Sequence, residues 1–399
     1  MTARLRILME TVPDTDVVAA MLPAFRAEHP EVAVEVEAMH YDHMRGPTLA
    51  SLHADQPDLD LVILDNPWLD GLVGAGRLEP LDERIAGAPG VDWGGYYPTL
   101  RSAAEIGGRI WGVPFYTWTP GLVYRRDLWE AAGLSAPRSL EELAAAAKAL
   151  TTQERAGIAM QPRPGYDLCE EFGSWLFAAG GAIQDGAGRV VLDSAAARRA
   201  LAVYVDVHAS AAPPGSLAWA FDDALRALAD GRAAAAINCN WAVPWLNSRG
   251  GPAPDLAGRF ALAPIPGGAS VLGVWYWAIP ANARDKEAAW AFISWVAANE
   301  RERVARGGAP VGGGALTDPH AWAAGLDPDA YYRPFDALHA GARPLVAGPN
   351  AEDAIVAVGE ELHPAVAGGI GVDEAVTRAA RRAEALLAAE HGRPDAGLS

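Results

Sequence analysis

Arg232–Ser248, RAAAAINCNWAVPWLNS, is the stretch on which the reading of this chain turns. Ala233–Ile237 is an apolar run long enough for one buried strand. It ends in Asn238-Cys239-Asn240, and Trp241 then opens a helix. In open α/β sheets, ligands bind outside the carboxyl ends of the strands. Two amides can donate and accept at once, and a flat indole can cover an apolar ring face. Those groups suit a neutral polyhydroxylated ligand. The same residues also read as a core Trp with two Asn residues capping the next helix. On this stretch alone both readings stand.

Outward from it, the chain is 399 residues long with a formal net charge of −18. That length can bury a sizeable core and fits two domains. No run of about 18 apolar residues occurs, so no transmembrane helix is expected. The acidity argues against nucleic acid, whose phosphates need a basic face. Fourteen Trp residues are many for this length, and some should line a site rather than face water. The two cysteines, Cys169 and Cys239, have neither zinc nor redox spacing. They read either as buried thiols or, if the protein is exported, as a disulfide. Met1-Thr2-Ala3-Arg4 runs straight into strand-like Leu5–Met9, so no signal peptide is visible. On that count the chain is either cytosolic or begins at its mature end.

Before that stretch, Arg4–Met9 reads as a first strand, and Val17, Val18, Met21, Leu22 and Phe25 recur with helical spacing. Val32, Val34 and Val36 alternate with glutamates as a half-buried strand. A polar loop with His40, Tyr41, Asp42 and His43 precedes a helical stretch to about Ala54. Leu59–Leu64 is a third strand, ending in Asp65-Asn66-Pro67-Trp68. Strand, helix, strand, helix, strand is the signature of a parallel α/β sheet. Its strand ends bring Glu10, the His40–Asp42 loop and Asp65/Asn66 toward one edge. Gly107–Phe115 and Gly121–Tyr124 read as extended, around Trp118.

A second alternating set follows. Ser139 with Glu142 forms a capping box. Gly157–Met160 and Arg189–Leu192 read as strands, Leu168–Ala179 and Phe221–Asp230 as helices, and a long helix starts at Ser194, capped by Asp193. Phe260–Ala263 and Val271–Ile279 are extended, Lys286–Arg306 is helical, and Gly307–Gly314 is a hinge-like connector without the Lys-Ser/Thr of a phosphate loop. Helices around 329–340, 351–362 and 372–390 finish the chain.

These segments resemble the family 1 extracellular solute-binding proteins, the maltose-binding-protein-like group of ABC importers. The resemblance is carried by Phe25-x-x-x-His29-Pro30-x-Val32-x-Val34, by Asp60-Leu-Val-Ile-Leu-Asp-Asn-Pro-Trp68 and by Leu72–Leu81. It continues in Gly108–Phe115, Leu122–Leu128, Gly231–Trp241, Ala278-Ile-Pro280 and Lys286–Ala298. Tyr124-Arg125-Arg126 stands where the family has Tyr-Asn-Lys. The resemblance implies an α/β, two-lobed periplasmic-binding-protein fold (type II). Each lobe would hold a mostly parallel sheet flanked by helices, and hinge crossings would join the lobes near Pro114–Trp118, Val271–Trp275 and Gly312–Thr317. Lobe 1 would comprise 1–115 and 272–314, and lobe 2 would comprise 116–271 and 315–399. It further implies a monomer that is exported to the periplasm or the cell surface, often as a lipoprotein. That monomer would close on one ligand and pass it to an ABC permease.

On this reading the ligand-binding residues are Glu10, Tyr41, Asp65, Asn66, Trp118, Asn240, Trp241 and Trp275. Each has a plainer alternative as a helix cap or core residue. Alternation puts Trp275 and Tyr276 on opposite faces, so one of them meets ligand, and Trp275 is favoured. Glu171, Trp175, Arg343 and Asn350 are weaker candidates. His40 and His43, three apart around Asp42, lack a third ligand, so no metal and no cofactor is expected. The expected ligand is a small carbohydrate or sugar alcohol. The alternatives are a peptide, polyamine or oxyanion bound by the same fold, or a carbohydrate-active enzyme. Against an enzyme, the adjacent pairs Glu170/Glu171 and Asp222/Asp223 would point about 100° apart on a helix. There is also no GxSxG, HExxH or Walker lysine.

Overall fold

The computed structural model describes residues 3–316 and 328–388. Two sheets, each with its own helices, build two lobes. The first sheet contains strands β1 (Ala3–Glu10), β2 (Val32–Met39), β3 (Leu61–Asp65), β4 (Val113–Thr117) and β8 (Val274–Ala278) in the order β2-β1-β3-β8-β4. The second contains β5 (Pro120–Arg125), β6 (Ala235–Cys239) and β7 (Phe260–Ala263) in the order β6-β5-β7. β1 pairs in parallel with β2 and β3, while β8 is antiparallel to both of its neighbours. In the second sheet β5 is antiparallel to both β6 and β7. Segment 156–159 joins β6 by parallel bridges. Each sheet therefore has one strand running against the rest, and in each that strand has just crossed from the other lobe.

The crossings are short. β4 belongs to the first sheet and β5 to the second, so the chain passes over at Trp118-Thr119; it returns at Leu272-Gly273 before β8. The two passages grip each other. The Trp118 amide donates to the Gly273 carbonyl (3.0 Å), and Thr119 Oγ1 donates to the same carbonyl (3.2 Å). A Cβ on residue 273 would lie 2.2 Å from the Trp118 indole, so only glycine lets the strands approach this closely. Of the third expected crossing, Gly312 bridges Tyr96 in the first lobe, and Thr317 lies outside the described residues.

Several local expectations change. Tyr41, Asp42 and His43 sit in the first turn of helix Tyr41–His53, with His40 as its cap, because His40 Nδ1 can accept the Asp42 amide. The 189–192 segment makes one bridge, Gln184 to Val190, rather than a strand. Ser194, not Asp193, caps helix Ala195–Ala211, its hydroxyl accepting the Ala197 amide, while Asp193 pairs with Arg198. Lys286–Arg306 breaks at Asn299 into helices Lys286–Ala298 and Glu300–Ala305.

Gly307–Gly314, read as a hinge-like connector, is anchored at Ala309 to the buried pair Asp14 and Arg303. The Ala309 amide donates to Asp14 (3.0 Å), and its carbonyl accepts from Arg303 (2.5 Å).

Candidate functional site

β1, β3 and β8 end side by side, so their last or first residues share one edge. Ladder register sets Trp275 opposite Asp65 on one side and opposite Tyr116 on the other. Glu10, at the end of β1, accepts a short hydrogen bond from the Tyr116 hydroxyl. This row faces the second lobe across a cavity lined by Glu10, Tyr41, Asp65 and Trp275 from the first lobe, Trp118 at the crossing, and Gln161, Arg163, Tyr166, Asp167, Glu170, Phe221, Cys239 and Trp241 from the second.

Asp65 is the hub. It is 0 % exposed and takes donors from three directions. Oδ1 accepts the Trp118 indole N–H (2.9 Å) and the Asn66 amide (3.0 Å); Oδ2 accepts the hydroxyls of Tyr41 and Tyr166 (both 3.1 Å). Tyr166 opens helix Tyr166–Ala178 of the second lobe, so its bond to Asp65 ties the lobes together. Arg163 adds a forked bond to Asp42 (2.8 and 2.9 Å), and His40 Nε2 pairs with Asp222 (2.9 Å). The structure is thus that of lobes drawn together.

Burial raises the Asp65 carboxyl to about 7, against the pull of its Trp118, Tyr166 and Tyr41 donors. Burial also brings Glu10 to about 7, with the Tyr116 hydroxyl opposing. Glu170 is raised further, by burial and then by Glu171 and Asp167. For Asp167, burial outweighs the Arg163 guanidinium, and its carboxyl is also raised.

Of the expected residues, Glu10, Tyr41, Asp65, Trp118, Trp241 and Trp275 come together in this wall. Tyr276 faces the other way, its hydroxyl donating to the Leu100 carbonyl (2.7 Å). Asn240 and Asn66 are not in the wall. Asn240 Nδ2 donates to Thr117 Oγ1 (2.7 Å) and its Oδ1 accepts the Trp241 amide (2.8 Å). Asn66 Oδ1 accepts the Val274 amide (3.2 Å). Both amides therefore brace the crossings, because a polar side chain at a strand end satisfies nearby backbone as readily as a ligand.

Glu171 and Trp175 lie in the core, where Glu171 accepts the Gln161 amide (2.8 Å) and the Tyr204 hydroxyl (2.5 Å). Arg343 lies against Phe177. Sequence reasoning missed Gln161, Arg163, Tyr166 and Phe221. The one available signal was that 161–166 joins a strand to a helix at the same kind of edge as Asp65. Cys169 and Cys239 are free thiols, and Cys239 reaches the wall.

The cavity encloses about 510 Å³ including its mouth. A larger, more open hollow of about 890 Å³ lies beside Asn66, Thr99, Ser102 and Arg343. It has no aromatic ring and no buried carboxyl in its wall. Of these two, the smaller cavity therefore offers both stacking faces and converging polar groups. Among the described residues no group of three metal-ligating side chains occurs, and no helix is long and apolar enough to cross a membrane.

Comparison with known proteins agrees with this geometry. A probable ABC transporter-binding protein of Deinococcus radiodurans is 28% identical over 265 residues, covering 64% of this chain and 62% of that protein. The mannitol-binding protein of Pseudomonas aeruginosa is 26% identical over 308 residues, covering 72% of this chain and 68% of the other. A solute-binding protein of Agrobacterium radiobacter K84, solved with ribitol, superimposes with a TM-score of 0.84 at 23% identity. That match covers 96% of this chain and 98% of the other and shows the two-lobed α/β fold. The family described as bacterial extracellular solute-binding protein matches residues 12–302. With that span matched, the chain belongs to the bacterial extracellular solute-binding proteins, which capture solutes and are not enzymes.

Proposed function

We propose that the cleft captures a small carbohydrate or sugar alcohol by hydroxyl hydrogen bonds and Trp stacking, and that the closed protein delivers it to an ABC permease. The observation that carries this reading is a cavity between the lobes walled by Trp118, Trp241 and Trp275, with carboxyl and amide groups among them. An indole face covers the C–H face of a sugar, while one carboxylate can accept two hydroxyls. The mannitol-binding and ribitol-bound relatives support that choice of ligand class. The first sheet with its helices acts as one lobe and the second sheet with its helices as the other, rotating about the crossings at Trp118-Thr119 and Leu272-Gly273. The protein works as a monomer outside the cytoplasmic membrane, in the periplasm or tethered at the cell surface.

A thermal-shift screen over sugars, alditols, amino acids and polyamines tests this, because a specific ligand raises the melting temperature by mass action. The expected result is a stabilising hit among the sugars or alditols that chromatography recovers unchanged after incubation. Stabilisation by amino acids or polyamines alone would refute it.

A further inference from the structure

The wall of the cavity holds four acidic side chains, Glu10, Asp65, Asp167 and Glu170, and one basic one, Arg163. Arg163 is already occupied. Its Nη1 and Nη2 hold Asp42 (2.8 and 2.9 Å) and its Nε holds Asp167 (2.6 Å). That leaves Glu10, Asp65 and Glu170, all buried. Among the described residues none of the three is within 4.0 Å of a Lys, Arg or His nitrogen. Burying charge without a partner is costly, and these carboxyls are raised accordingly.

A second observation points to what is missing. Gln161 is 1 % exposed and lines the cavity. Its Nε2 donates to the Asp167 carbonyl (3.2 Å) and to Glu170. The backbone carbonyl can only accept, so the amide cannot be turned round. Gln161 Oε1 is then left buried with no hydrogen-bond partner. An orphaned acceptor beside an uncompensated carboxyl calls for a donor that brings positive charge. The acidic groups do not form a metal site among the described residues, which leaves an organic cation. Tyr41, Trp118, Tyr166, Phe221, Trp241 and Trp275 supply aromatic rings around the same space, as cation recognition favours.

We propose that the ligand is a hydroxylated amine, an amino sugar or aminoalditol whose ammonium group meets Glu170 and Gln161 Oε1 while its hydroxyls meet the remaining wall. This rests on the reading of the cleft as a site for one small carbohydrate or sugar alcohol. An ammonium has three donors and no acceptor, which matches an acceptor-rich end. The hydroxyl-bearing remainder suits the indole faces.

The test compares ligands that differ in one group. Calorimetric titration at pH 7 uses D-glucitol against D-glucamine, D-glucose against D-glucosamine, and putrescine as an amine without hydroxyls. The amino member of at least one pair should bind about tenfold tighter or better than its neutral partner. Glu170→Gln should remove most of that preference. Should that variant not fold, Gln161→Leu replaces it, with the same expected loss of preference.

Neutral members binding as tightly as the amino ones would overturn the inference and leave the carbohydrate reading intact. Putrescine binding more tightly than either amino polyol would overturn both. No binding by any compound of the set would also overturn the inference, with the carbohydrate reading then judged by the wider screen.

Discussion

Tyr166→Phe is the sharpest perturbation of the closed state. The Tyr166 hydroxyl donates to Asp65 Oδ2 across the lobes at 3.1 Å. Removing it leaves Asp65 with the Trp118 indole, the Asn66 amide and the Tyr41 hydroxyl, so no carboxyl is orphaned. A hydrogen bond to a charged group contributes about 1.5–3 kcal/mol, and a neutral one about 0.5–1.5 kcal/mol. With Asp65 at about 7 and so shared between forms, an intermediate loss of about 1–1.5 kcal/mol applies. Because the bond exists only when the lobes meet, that loss falls on the closed, ligand-bound state. Affinity for the best hit of the screen should weaken about five- to twelvefold. The ligand-free melting temperature should move by less than about 2 °C. Titration calorimetry and a melting curve on the same sample measure both. Unchanged affinity with a clearly lowered ligand-free melting temperature would show that Tyr166 braces the fold rather than the closure.

Three further outcomes follow from the geometry. Trp241→Ala should weaken ligand binding about ten- to a hundredfold through lost stacking; loss of about 3–5 kcal/mol of stability with normal binding by the folded fraction would mark it as core instead. Asp14→Ala should destabilise by about 1–3 kcal/mol without changing ligand affinity, because it removes one of the two carboxylates that pair with the wholly buried Arg303, Glu300 keeping the other, and leaves the Ala309 amide without its acceptor. The third concerns pH. Glu10, Asp65 and Glu352 stand at about 7 when folded, against about 4 when unfolded. Between those values the folded state holds protons that the unfolded chain has released, so these groups stabilise most at low pH. That contribution is lost as pH rises from about 4 through 7, with a slope of at most about 1.4 kcal/mol per pH unit for each group. Glu10→Gln should therefore flatten the fall in ligand-free stability between pH 5 and about 8, and an unaltered slope in urea titrations would refute the assignment.

The residues that could be read without coordinates are those whose position follows from local pattern. Val32, Val34 and Val36 alternate, Val17 to Phe25 repeat with helical spacing, and Leu61–Asp65 is an apolar run with a polar end. A strand's polar end sits at the sheet edge whatever the rest of the chain does, so Glu10, Asp65 and Trp241 were legible as cavity residues. That Trp275 and Tyr276 face opposite ways was legible too, since alternation along β8 forces them apart.

Tertiary structure decided the rest. Asn66 and Asn240 were indistinguishable in sequence from ligand-binding amides, yet Val274 and Thr117, 208 and 123 residues away, claim them. Tyr166, Gln161 and Arg163 carry no local mark beyond lying between a strand-like segment and a helix; they join the site because closure brings loop 161–166 of one lobe onto Asp42 and Asp65 of the other. Spacing along a chain reports which face of an element is buried, but not what meets that face from more than a hundred residues away. That Glu10, Asp65 and Glu170 meet no cationic side chain among the described residues belongs to that second kind of information, since a carboxyl's partners are set by the packing of two lobes and not by its neighbours in sequence.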